Sequence, residues 1–166
     1  MREKYPKFGY ISSTTKCNGL ENSLKELNNY KYICLDYNLN HNKKLNTLTE
    51  KEKDKIEFLC NAICPPGCPN RKEHYRLNGV SMLNFYKRYY IDCGIQKTLT
   101  AKETREYKNN ISPEEIYNVF APQGFSMFKL EGRTISTLDV LLTYSYYFIK
   151  PEYKDFFISS IAPIVL

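Results

Sequence analysis

Four short apolar runs limit the folds open to this chain: 8-FGYISS-13, 31-KYICLD-36, 55-KIEFLCN-61 and 125-FSMFKLEG-132. Each is rich in β-branched or aromatic residues and is followed by a polar cluster, the pattern of a short buried strand. Helical patterns lie between them. Leu20, Leu24 and Leu27 recur at helical spacing, and 45-LNTLTEKEKDK-55 carries a capping-box pair, Thr49 and Glu52. A longer helix is expected over 72–90, weakened by Gly79, and Ser112-Pro113-Glu114-Glu115 marks a further helix start. The chain closes with helices over 137–149 and, after Pro151, near 152–160. Strands alternating with helices predict βαβ units on a parallel sheet, with one longer excursion over 94–124. The 166 residues read as a single α/β domain.

Right-handed crossovers bring every strand's C-terminal end to one face, and function in α/β proteins gathers there. The first strand is followed by Thr14, Thr15 and Lys16. The second delivers Asp36, Asn38 and Asn40, the third Asn61 and a cysteine loop, and the fourth Lys129, Glu131 and Arg133. Connecting loops are polar in any case, so the agreement of four strand ends matters more than any one of them.

The loop is 60-CNAICPPGCPNRKEHY-75. Cys60, inside an apolar strand pattern, reads most simply as a small core residue. Cys64 and Cys68 flank Pro65-Pro66-Gly67, a turn able to hold two thiols toward one centre. Arg71 and His74 follow on one helical face, where a helix N-terminus and cations are expected to lower thiol pKa values. A Cys64–Cys68 disulfide would close a very small loop and needs an oxidising compartment. Zinc would use Cys64, Cys68 and Cys93 with His74 or Cys60. An iron–sulfur cluster would use Cys64, Cys68 and Cys93 with Cys60 or an outside group. The C-x3-C-x3-C spacing is not that of radical-SAM enzymes, and Cys17 and Cys34 read as ordinary residues. Metal, cluster and core packing all stand open on spacing alone.

The net charge of +6 comes from 24 basic and 18 acidic residues, largely interspersed, which describes a solvated surface more than a polyanion-binding one. The basic balance and fifteen tyrosines leave RNA as a candidate partner through base stacking. No segment has the length of a membrane span or the layout of a secretory signal, so the expectation is a cytoplasmic protein with no membrane partner.

The run 125-FSMFKLEGR-133 resembles the "FKIEGR" strand of the collagenase-like peptidase family of unassigned catalytic type (number thirty-two). The loop 61-NAICPPGCPNRKEHY-75 looks like the N-x-x-C-x-x-x-C-P-x-R-x-x-H-Y motif of a related group, in which 11-ISSTTK-16 and 34-CLDYNLNHN-42 occupy the preceding strands. This resemblance implies a (β/α) barrel-type fold. Several members bind a 4Fe–4S cluster through four cysteines and hydroxylate RNA bases or ubiquinone precursors without molecular oxygen. Carried over by position, Cys64, Cys68 and Cys93 become candidate ligands and Lys129, Glu131 and Arg133 site residues. The hydroxylating members have a wider first cysteine gap than this chain. No nucleophile–base pair for a conventional protease is readable.

A complete barrel of this kind takes about 250 residues. The expectation is therefore a partial, TIM-barrel-like half barrel of about four parallel strand–helix units, resembling the C-terminal half of its relatives. An open half barrel predicts self-association or a partner chain that completes it. Two functions follow. The first is a 4Fe–4S-dependent hydroxylase acting on an RNA base or a small anionic or aromatic substrate. In it Glu131, Asp36 and His74 handle protons, and Lys16, Asn38, Asn40, Asn61, Arg71, Lys129 and Arg133 bind substrate. The second is a non-enzymatic half barrel, zinc-stapled or metal-free, that binds a partner protein or RNA.

Overall fold

The computed structural model describes residues 3–16, 18–85, 89, 101–132 and 136–165. All four expected runs hold a strand: β1 (Ile11–Ser12), β2 (Tyr32–Cys34), β3 (Ile56–Leu59) and β4 (Met127–Lys129). They form one all-parallel sheet in the order β1-β2-β3-β4. The strands are two to four residues long, shorter than the usual five or six or so. Polar residues end each run and turn the chain away from the ladder.

Helix α1 (Leu20–Lys25) links β1 to β2, and α2 (Glu50–Lys53) links β2 to β3. The connection to β4 holds α3 (Arg71–Leu83), α4 (Ala101–Arg105) and α5 (Pro113–Glu115), which continues as a π-helical turn over Ile116–Phe120. After β4 come α6 (Thr137–Phe148) and α7 (Lys154–Val165). The expected capping box at Thr49 forms, and the expected helix start at Ser112 is also one. Glu52 accepts the Thr49 amide at 2.8 Å, and Glu115 accepts that of Ser112, also at 2.8 Å. Helix α3 ends earlier than the 72–90 expectation. Asn84 caps it: its backbone amide and its side-chain amide both donate to the Val80 carbonyl, each at 3.1 Å.

Strand side chains alternate between two layers. Ile33, Ile56 and Phe58, with Leu35 and Cys60 just beyond the strands, pack against Leu20, Leu27, Leu45, Phe120 and Tyr147 from the connecting segments. Phe58 is fully buried there, with its ring 5.0 Å from those of both Phe120 and Phe125. The opposite layer is smaller: Cys34, Tyr37, Leu59 and Ala62, with Cys64 against them. It contains no residue of α1, α2, α5 or α6. That asymmetry follows from topology, because right-handed crossovers between strands that advance in one direction put their helices on the same face, although the start of α3 packs over the opposite layer, with Arg71 4.0 Å from the Tyr37 ring.

Candidate functional site

The cysteine loop sits beyond the C-terminal end of β3, where the predicted site residues do gather. Three of them, Asn38, Asn61 and Glu131, brace the loop through backbone groups. Beyond β3 and β4, Asn61 continues the ladder with its side chain: its Nδ2 donates to the Glu131 carbonyl at 2.8 Å, and its Oδ1 accepts the Glu131 amide at 2.7 Å. The Glu131 carboxylate then accepts the Ile63 amide at 2.8 Å, one residue before Cys64. Asn38 Oδ1 accepts the Gly67 amide at 3.2 Å. Gly67 has φ +68°, a left-handed turn suited to a residue without a side chain.

Arg71, the first residue of α3, is 4% exposed at its side chain and pairs with Asp36 at 2.7 Å. Its second terminal nitrogen donates to the Thr14 carbonyl at 3.1 Å, and the guanidinium lies 4.0 Å from the centre of the Tyr37 ring. One side chain thus ties α3 and the cysteine loop to the ends of β1 and β2. Asp36 also caps the next turn, accepting the Asn38 amide at 3.0 Å.

The other cations are similarly engaged. Lys16 contacts Glu26 at 3.1 Å and the Tyr30 hydroxyl at 2.6 Å, which, with that hydroxyl as the main cause, raises its pKa. Lys129 pairs with Glu57 at 3.4 Å on the less covered face of the sheet. Asn40, 1% exposed, donates to the carbonyls of Leu59 and Asn109. His74 is buried beside Arg71 on α3. Arg133 and Cys93 lie outside the described residues.

Among the thiols, Cys64 and Cys68 are partly buried on the loop. The Cys64 pKa is raised, against the sequence expectation. Burial is the largest cause; the neighbouring Tyr37 hydroxyl favours the thiolate and the adjacent Cys68 opposes it, while Arg71, committed to Asp36, helps least. Cys60 faces the helix-covered core, its thiol 3.7 Å from the Phe58 carbonyl and its pKa pushed up to about 12 by burial. It therefore lies in the layer opposite Cys64. Cys34, read from sequence as an ordinary residue, shares the layer of Cys64.

Among the described residues, no group of three or more His, Cys, Asp or Glu side chains stands close enough to hold a metal ion. No helix among them is long and apolar enough to cross a membrane. No protein-family model, curated protein or solved structure matches the chain. What the region can do rests on its own geometry: a braced loop presenting two thiols at one end of a parallel sheet.

Sequence reasoning missed Tyr37, Asn109 and Asn110. Tyr37 is the platform under Arg71, and its place directly after Asp36 is the one signal that could have shown it. Asn109 and Asn110 come from the long β3–β4 connection. Asn110 donates to the carbonyls of Ala62 and Thr104 at 3.2 and 2.6 Å, closing the underside of the loop.

Asn61→Ala removes both halves of the exchange with residue 131. It should lower stability by about 2 kcal/mol, since buried backbone groups lose their partners. Urea unfolding measures the loss, and Cys64 should be alkylated faster in the folded variant. An unchanged alkylation rate would show that Asn61 does not hold the loop.

Proposed function

We propose that this chain is a half barrel of the (β/α) type that works once another polypeptide closes its less covered sheet face, with the braced cysteine loop at its working rim. One observation carries this reading. Helices α1, α5 and α6 build the larger layer on one face of the all-parallel sheet, and the other face is covered only over its middle, by Tyr37, the cysteine loop and the start of α3, whereas parallel sheets are stable with both faces covered or closed into a barrel. The less covered face carries Ile11, Tyr32, Cys34, Glu57, Leu59, Met127 and Lys129 by strand alternation and register, with Cys34 and Leu59 buried at its centre. Ile11 is 55% exposed, against 0% for Ile56 on the covered side. In this reading the strand-end polar residues are scaffold, and the chain serves as a binding module.

A second reading, the 4Fe–4S hydroxylase, is favoured by one feature: Cys64 and Cys68 stand on the same loop at the rim, close enough that Cys68 disfavours ionisation of Cys64. The described residues fit two ligands of such a group. Cys64 and Cys68 would hold it, with Cys93 as the third ligand. The bound cluster would supply redox chemistry for a nucleic acid base or a small anionic or aromatic substrate. Zinc at the same thiols would instead staple the loop.

Metal and acid-labile sulfide measured on anaerobically purified protein separate the two. The binding-module reading expects no iron or sulfide, and at most zinc that disappears in the double variant Cys64→Ser, Cys68→Ser. Iron with sulfide, lost in that variant, would replace it with the hydroxylase.

A further inference from the structure

The proposed closure needs an occupant, and we infer that it is a second copy of this chain, β4 of each copy lying beside β1 of the other. This inference rests on the half-barrel reading above. The sheet ends in two different edges, β1 and β4, and no described strand lies beyond either. On the less covered face the central Cys34 and Leu59 are 3% and 2% exposed, while Ile11 on one edge strand is 55% exposed and Met127 on the other is half-buried. Exposure therefore rises toward both edges.

A two-fold axis running along the strands keeps all strands parallel and repeats the same β4–β1 junction twice, so a single kind of contact closes the assembly. Four strands from each copy make eight, the strand number of a (β/α) barrel whose interior side chains fill. The less covered face also suits enclosure with its own copy. Its two charged side chains, Glu57 and Lys129, already pair at 3.4 Å, so closing the barrel would add no net charge to the interior. Beside β1, Phe8 is 67% exposed at the mouth of a mostly polar recess of about 460 Å³ that Asn28, Asn29 and Lys31 also line, at the edge the second copy would meet.

Light scattering on the purified full chain should give twice the 19.6 kDa mass of one copy. Ile11→Arg tests the geometry. Ile11 is largely exposed in the single chain, so the far-UV spectrum should stay native, but the closed barrel would bury the arginine and the variant should run as a monomer. Tyr117→Arg, on the helical side and 67% exposed, should remain double. A dimer indifferent to Ile11→Arg overturns the proposal, because association would then use another surface. A wild-type monomer also overturns it, and 1-anilinonaphthalene-8-sulfonate then tests the reading beneath. Dye binding reduced by Ile11→Arg would leave an open face for a different polypeptide, whereas no dye binding would remove the open face as well.

Discussion

Arg71→Ala should cost the folded chain about 3–5 kcal/mol, the range for removing one partner of a buried ion pair. The arginine and aspartate side chains are 4% and 12% exposed, so Asp36 would be left with little water to replace its partner. The Thr14 carbonyl would lose a charged donor and the Tyr37 ring a cation 4.0 Å away. The pair itself need not be a large net source of stability, since desolvating two charges offsets most of their attraction. This makes a second variant informative. In Asp36→Leu, Arg71→Met the uncompensated charge is gone, and stability should return to within about 1–2 kcal/mol of the native chain, because buried ion pairs are often replaceable by apolar side chains. Urea unfolding of Asp36→Leu alone, Arg71→Met alone and the variant that combines them gives the coupling. If the double variant were as unstable as Arg71→Ala, the stabilising role would belong to Arg71 with Thr14 and Tyr37, and Asp36 would be incidental.

The same cluster shows what the sequence could and could not reveal. The strands were legible because each is a short β-branched run with a polar stop, and sequential parallel order followed from helices of suitable length between them. Asp36, Asn38, Asn61, Arg71 and Glu131 were legible as a group because strand ends share a face. Their use was not. An asparagine beyond a strand reads equally well as a ligand-binding amide or as a backbone mimic, and only the reciprocal bonds between Asn61 and residue 131 decide between them. Arg71 likewise reads as an anion-binding group until Asp36 is found at 2.7 Å. The expected fall in the Cys64 pKa failed for a related reason. Charge sign and helix position can be read along the chain, but depth of burial depends on Tyr37 and Ala62, which reach the thiol through the fold. The end of α3 was misplaced because the pattern beyond Leu83 stays helix-compatible, while the Asn84 cap acts through side-chain geometry.

Raising the pH from about 7.5 to about 9.5 should lower unfolding stability by about 3 kcal/mol, through Cys34 and Cys60 together, at about 1.4 kcal/mol per pKa unit for each thiol. Burial is the first cause in both cases and pushes each pKa up to about 12. The coulombic influence of Glu57 adds to the rise at Cys34. The folded pKa is thus above the unfolded one, and the thiols' contribution is fully present below the unfolded value of about 8.5. Above it the unfolded chain releases protons that the folded chain retains, so stability falls with each pH unit until the folded value is reached. Tyr37 and Tyr147 are also raised by burial and act in the same direction, but only once the pH passes the ordinary tyrosine value of about 10. The window below that value isolates the thiols. In Cys34→Ala, Cys60→Ala most of the fall between the two pH values should vanish, leaving the share of Cys64, whose pKa burial also raises, even though the variant starts less stable from lost packing. A slope as steep as the native one would mean that these thiols ionise in the folded chain as easily as in water, and that Cys34 and Cys60 are reached by solvent.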